Sequence, residues 1–196
     1  TYGFPVELTV ELGRKVNMED FNTKIAEHQK LSQTSSAGMF KGGLANHNDK
    51  TIRLHTSHHL LLAGLQAIVS PTVKQRGSNI TEERLRIDFL CDHKLTDEEK
   101  QKVEAWVNDK ISKELNVVRM EMPLVEAEKI GAEMEFGAKY PEVVSVYVIE
   151  DEGGNPISKE FCGGPHVSNT RELGMFKIQK EEAVSAGVRR IKAVLG

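Results

Sequence analysis

Two pairs of metal-ligand side chains, each spaced by four, constrain this chain more than any other feature. His55-Thr56-Ser57-His58-His59 opens an apolar segment that reads as a buried helix. Residues four apart on a helix project from one face, one turn above the other, so His55 and His59 can present two imidazoles to a single ion. Far downstream, Cys162-Gly163-Gly164-Pro165-His166 sets two more donors four apart, and its Gly-Gly-Pro interior favours a tight loop over a helix. Three imidazoles and one thiolate form a donor set that suits tetrahedral zinc. Either pair alone is weak, because most His-x-x-x-His pairs on helices are accidental. Both together, in a chain with seven histidines and two cysteines, favour a shared metal. Four protein ligands would close the shell of a purely structural zinc, whereas catalysis needs a position for water or substrate. Residues 56 to 58, which are Thr, Ser and His and supply no glutamate base, argue against a zinc protease of the His-Glu-x-x-His type.

The rest of the composition is that of an ordinary soluble globular protein. With 196 residues, 39% of them hydrophobic and 28% charged, the chain can bury a sizeable core as one domain or one domain with an appendage. No apolar run approaches a membrane span and no signal-peptide pattern opens the chain, so no membrane partner is expected. The net charge of −3 gives no bulk attraction to nucleic acid, and RNA binding would rest on local basic patches. Cys91 and Cys162 make no disulfide framework, which points to a cytoplasmic setting. Thr1 in first position suggests an excised or processed piece.

Two zones follow along the chain. Residues 1–36 hold a helical pattern (Asn17 as cap, then Met18, Phe21, Ile25 and His28) closed by the polar stretch Ser32 to Ser36. Residues 37–196 mix element types. Leu54 to about Val69 predicts the buried helix. Arg84 to Leu90 alternates as a half-buried strand, and Thr96 with Glu99 opens a helix that turns Val103, Trp106, Val107 and Ile111 inward. Val117 to Met122 and Val143 to Ile149 read as strands, with a short helix from Leu124 to Ile130 between them. Gly153-Gly154 marks a hairpin, and Met175 to Ile178 and Val188 to Val194 close the fold. Strands and helices without βαβ repetition predict an α+β domain with a mixed or antiparallel sheet packed against helices.

At the two ligand pairs the sequence resembles the editing domain shared by alanyl- and threonyl-tRNA synthetases and free-standing editing proteins. Gln75-Arg76-Gly77-Ser78 with Leu85-Arg86-Ile87-Asp88-Phe89 is similar to the alanyl stretch after the zinc helix. Phe176-Lys177-Ile178 and Gly187-Val188-Arg189-Arg190-Ile191 are similar to its closing segment. Thr1-Tyr2-Gly3-Phe4-Pro5 with Leu8-Thr9 looks like the stretch after the aminoacylation core. Three departures bear on amino-acid preference rather than reaction type. Phe40-Lys41-Gly42-Gly43-Leu44 stands where a small barrel is usual, His58 replaces a common Thr, and Pro165 resembles threonyl members.

The resemblance implies zinc held by His55, His59, Cys162 and His166, and hydrolysis of mischarged tRNA. Ser-tRNA(Ala) is the expected substrate, with Gly-tRNA(Ala) as the other candidate. Gln75 and Ser78 are expected to line the pocket, with His58 as proton shuttle, pocket wall or bystander. Backbone N–H groups at Gly77 and Gly163 could approach a developing oxyanion, and Arg86 belongs to a basic group suited to acceptor-stem phosphates. The expected partners are the acceptor end of tRNA(Ala), a serine or glycine moiety and the rest of an alanyl-tRNA synthetase. Competing readings are a Ser-tRNA(Thr) deacylase and a non-catalytic, zinc-stabilised tRNA-binding module. Cys91 is expected to be a small apolar filler, and His28, His47 and His93 surface residues.

Overall fold

The computed structural model describes residues 11–13, 16–26, 44–134 and 139–196. The chain divides into two units, Thr1–Gly38 and Met39–Gly196. In the first, residues 18–26 are helical, and the Asn17 side chain caps them by accepting from the backbone N–H groups of Glu19 and Asp20. His28, the Ser32 to Ser36 connection, Thr1 to Pro5 and Phe40 to Gly43 lie outside the described residues.

The second unit is α+β, as its mixed pattern predicts. Its elements are α1 (Asp49–Ile68), β1 (Gln75–Ile80), β2 (Leu85–Leu90), α2 (Asp97–Ser112), β3 (Val117–Pro123), α3 (Leu124–Lys129), β4 (Val143–Glu150), β5 (Pro156–Phe161), a 3₁₀ turn (Thr170–Leu173), β6 (Phe176–Ser185) and β7 (Val188–Leu195). One antiparallel sheet runs β1-β2-β7-β6 and a second runs β3-β4-β5. No described helix is long and apolar enough to cross a membrane.

α1 begins at Asp49, a turn and a half before its apolar run, because the Asn48 side chain accepts from Thr51 N–H and stops the helix from fraying. Nearly every position from Leu54 to Leu65 is buried, so the helix shows no polar face. α2 opens with the reciprocal Thr96–Glu99 capping box and buries Val103, Val107 and Ile111 on a stripe of helical period. Leu85, Ile87 and Phe89 of β2 meet these helices in one core with Leu60, Leu61 and Phe176. A smaller core under the second sheet joins Val144, Val146 and Val148 to Ala127 and Phe161.

Two strands escape the sequence reading. Gln75-Arg76-Gly77-Ser78, which carries no apolar alternation, begins β1, with a bulge between Gln75 and Gly77. Pro156–Phe161 forms β5, although Lys159 and Glu160 dilute its apolar pattern. Pairing with a stronger neighbour, β2 or β4, carries both.

Candidate metal centre

The first half of α1 and the loop leaving β5 meet at the predicted ligands. Donor atoms of His55, His59, Cys162 and His166 all lie within 4.8 Å of one another. Cys162 Sγ is 3.4 Å from His55 Nε2 and 3.3 Å from His166 Nε2, and the His55 and His166 rings stack at 4.0 Å. The loop is fixed by Ser145 on β4: Cys162 N–H donates to Ser145 O at 3.1 Å, and Ser145 Oγ donates to Cys162 O at 2.9 Å.

Hydrogen bonds on the far side of two rings aim their other nitrogens at the sulfur. His55 Nδ1–H donates to Pro165 O at 3.0 Å, which leaves Nε2 as the lone-pair nitrogen. Thr56 Oγ donates to Ile52 O at 3.3 Å and accepts from Val167 N–H at 3.2 Å. Its second lone pair therefore accepts from His166 Nδ1–H at 3.0 Å. Such outer contacts fix tautomer and ring orientation at metal sites. Burial keeps the rings neutral: His55 is pushed down to about 4, and His59 and His166 well below the usual imidazole value. Neutral imidazoles keep a ring lone pair free for a cation, which Cys162 would meet as its thiolate, and these residues fit zinc.

Beside the ligands lies a pocket walled by His58, Gln75, Glu133, Met134 and Glu160, with His55 and His59 at its back. His58 is 3% exposed, and neither ring nitrogen has a hydrogen-bond partner. Burial holds it at about 3 and hence neutral. A buried, unpaired imidazole is costly and marks a place where a polar ligand would be welcome.

Glu160 also faces His59, with Oε2 to Nε2 at 3.5 Å. Burial raises its carboxyl to about 8, so the two meet as neutral groups rather than as an ion pair. It escaped sequence reading because β5 did. Once the strand is drawn, Glu160 opposes Tyr147 in register and shares the face that looks at α1. The Tyr147 ring packs on His166 at 4.1 Å.

The other expected residues fall in different places. Gln75 reaches the pocket wall because it pairs with Phe89 on the helix side of the sheet. Ser78, opposite Ile87, shares that side but is not among the described residues lining the pocket. Gly77 and Arg86 lie on the opposite face, since side chains alternate along a strand and their register partners are Asp88 and Asn79. There Arg190 grips Asp88 with two bonds of 2.7 and 2.8 Å, and Arg86 Nε is 3.8 Å from Asp88. Gly163 is exposed at the outside of the ligand loop, and it is Gly164 whose N–H points to Cys162 Sγ at 3.5 Å.

Comparison with known proteins places this geometry. The family described as Threonyl and Alanyl tRNA synthetase second additional domain matches residues 144–192. The chain is 50% identical over 199 residues to an alanine–tRNA ligase of Treponema denticola, covering 100% of the chain and 32% of that protein. The figures for the Borreliella burgdorferi ligase are 50%, 100% and 33%. Against the Thermus thermophilus ligase it is 50% identical over 150 residues, 74% of the chain and 17% of the relative. The chain thus spans about a third of the length of the first two curated relatives.

Proposed function

The chain is a region of the alanyl-tRNA synthetase editing-domain type, and on that premise we propose that it hydrolyses the ester of mischarged tRNA, Ser-tRNA(Ala) first and Gly-tRNA(Ala) second. The observation that carries this reading is the unpartnered His58 ring in a polar pocket that abuts the four metal donors. A selection site built for alanine cannot strongly reject molecules of nearly its size. Gln75, His58 and Glu160 offer hydrogen bonds to a serine hydroxyl that alanine lacks.

A zinc ion held by His55, His59, Cys162 and His166 would supply Lewis-acid polarisation of the ester carbonyl where one of the four gives way to the substrate oxygen, since four protein ligands otherwise close its shell. Glu160, which lines the pocket beside His59, takes a proton from the attacking water and returns it to the departing ribose oxygen. His58, too weakly basic for that task, orients the water or the amino-acid moiety by hydrogen bonding. Gln75 on the adjoining wall holds the polar end of the same group. The acceptor end of tRNA(Ala) is the partner, and the remainder of an alanyl-tRNA synthetase is the setting in which the region works.

The test is ester hydrolysis by the purified, zinc-quantified chain on Ser-tRNA(Ala), Gly-tRNA(Ala), Ala-tRNA(Ala) and Ser-tRNA(Thr). Selective turnover of Ser-tRNA(Ala), lost in Cys162→Ala and lowered about 10²-fold or more in Glu160→Gln, is the expected result. Preference for Ser-tRNA(Thr) would reassign the tRNA. No turnover of any substrate at one zinc per chain would leave a binding module.

A further inference from the structure

Cys91, Asp92 and His93 sit in the loop between β2 and α2, away from the centre described above. Cys91 packs against the main core as the expected small apolar filler would, and its sulfur in addition has polar partners. Cys91 Sγ lies 3.7 Å from His93 Nδ1 and 3.3 Å from His93 O. Asp92 Oδ1 lies 2.7 Å from the same Nδ1. One donor atom from each residue falls within a 4.8 Å group. The far side of the ring is anchored: His93 Nε2 is 3.1 Å from Glu99 Oε1, and Glu99 is itself fixed by Thr96 through its other oxygen. A carboxylate on one imidazole nitrogen with the opposite nitrogen turned to a thiol and a second carboxylate is the outer-contact pattern of histidine metal sites.

We propose that Cys91, Asp92 and His93 form a second metal site for a borderline-soft divalent transition ion, separate from the site at His55, His59, Cys162 and His166. The sulfur–nitrogen distance suits it, while Asp92 Oδ1, a hydrogen-bond partner of Nδ1 at 2.7 Å, moves out to about 3.4 Å when both bind the ion. Zinc–sulfur and zinc–nitrogen bonds of about 2.3 and 2.0–2.1 Å at a tetrahedral angle put sulfur and nitrogen about 3.6 Å apart, against 3.7 Å between Cys91 and His93. The ion takes the place of the proton shared by Asp92 and His93 and binds the thiolate form of Cys91. Thiolate, imidazole and carboxylate together select zinc-like ions over magnesium or calcium. The donors line an open cavity with Val69, Thr72 and Gly187, which leaves space for a fourth, exchangeable ligand.

Cobalt(II) is the probe, since thiolate coordination gives it a charge-transfer absorption in the near ultraviolet. Titration of the whole chain is expected to take up one equivalent more than Cys91→Ser or His93→Gln, with a matching loss of the thiolate band in Cys91→Ser. Cys162→Ser should keep an equivalent and a thiolate band of its own. Should that variant not fold, the two loop variants carry the comparison in the unaltered background. Glu99→Gln, which preserves the helix cap, should weaken the loop equivalent about 10–100-fold. Cobalt uptake and band intensity in Cys91→Ser and His93→Gln equal to those of the parent would overturn the proposal.

Discussion

Burial, with other histidines close by, holds the rings of His55, His58, His59 and His166 neutral, and that neutrality sets the pH response of the metal-free chain. His55 and His58 sit near 4 and 3 in the fold but near 6.5 when unfolded. Between those values the unfolded chain binds more protons, so stability is full above about pH 6.5 and falls as the pH drops towards 4. Glu160 acts the other way. Its folded value near 8 lies above an unfolded 4.5, so stability falls as pH rises across that interval, by at most about 1.4 kcal/mol per pH unit. Urea melts of the metal-stripped chain should therefore show a maximum in weakly acidic solution. In Glu160→Gln the decline on the alkaline side should disappear, and an unchanged decline would remove Glu160 as its source. Thr56→Val tests the support of the ligands. It leaves His166 Nδ1 and Val167 N–H without their acceptor, costing about 1–3 kcal/mol and weakening metal binding about 10–100-fold, read by melting and by chelator competition. The four candidate ligands, His55, His59, Cys162 and His166, could be picked out in the sequence because their spacing states their chemistry, and the fold brings their donor atoms within 4.8 Å of one another. Thr56 and Glu160 could not be picked out, because each matters through a residue brought to it from a distant segment: Thr56 and His166 are 110 positions apart.

Among the elements, legibility follows how much of the signal is local. The Thr96–Glu99 box announces α2 within four residues, and Thr96→Ala should cost about 1 kcal/mol in a thermal or denaturant melt. β1 carries Gln, Arg, Gly, Ser and Asn before its one buried apolar residue, Ile80, and becomes a strand because Leu85–Leu90 offers it an edge. β6 runs on through Lys180, Glu181 and Glu182, well past the Ile178 at which its apolar pattern stops, because β7 pairs with it throughout. The crossing of α1 and α2 is set by Gly64, where an added Cβ would stand 3.1 Å from Trp106 Cε3 and 3.4 Å from Val107 Cγ2. A side chain there must push the helices apart. Gly64→Leu should destabilise by about 1–3 kcal/mol through overpacking, despite the better helix propensity of leucine. A variant as stable as the parent would show that the indole swings aside.

At the scale of the second unit, α1 stands between the two sheets, touching β1 and β2 of one and β5 of the other. The metal donors divide along the same line, two from α1 and two from the loop after β5. Glu133 adds a second tie: its carboxylate takes Lys74 Nζ at 2.6 and 2.8 Å and Gln66 Nε2 at 3.0 Å. An ion bound only by the assembled donors stabilises by RT ln(1 + [L]/Kd), about 2.7 kcal/mol at a hundredfold excess over Kd. Chelation should therefore lower the melting temperature and loosen amide protection in β5 and the first half of α1 together. Protection lost in β5 alone would mean that the donors are not joined through one ion. The α+β class could be read from the order of elements, but the strand order could not, since nothing local says that β7 inserts between β2 and β6. That insertion has a consequence for a ribosome. β2 ends at Leu90 and its neighbour begins at Val188, a delay of about 5–20 s at translation rates of about 5–20 residues per second. Throughout it the nascent β1–β2 hairpin offers a bare row of amides and carbonyls to any passing strand, an interval in which a chaperone has most to protect.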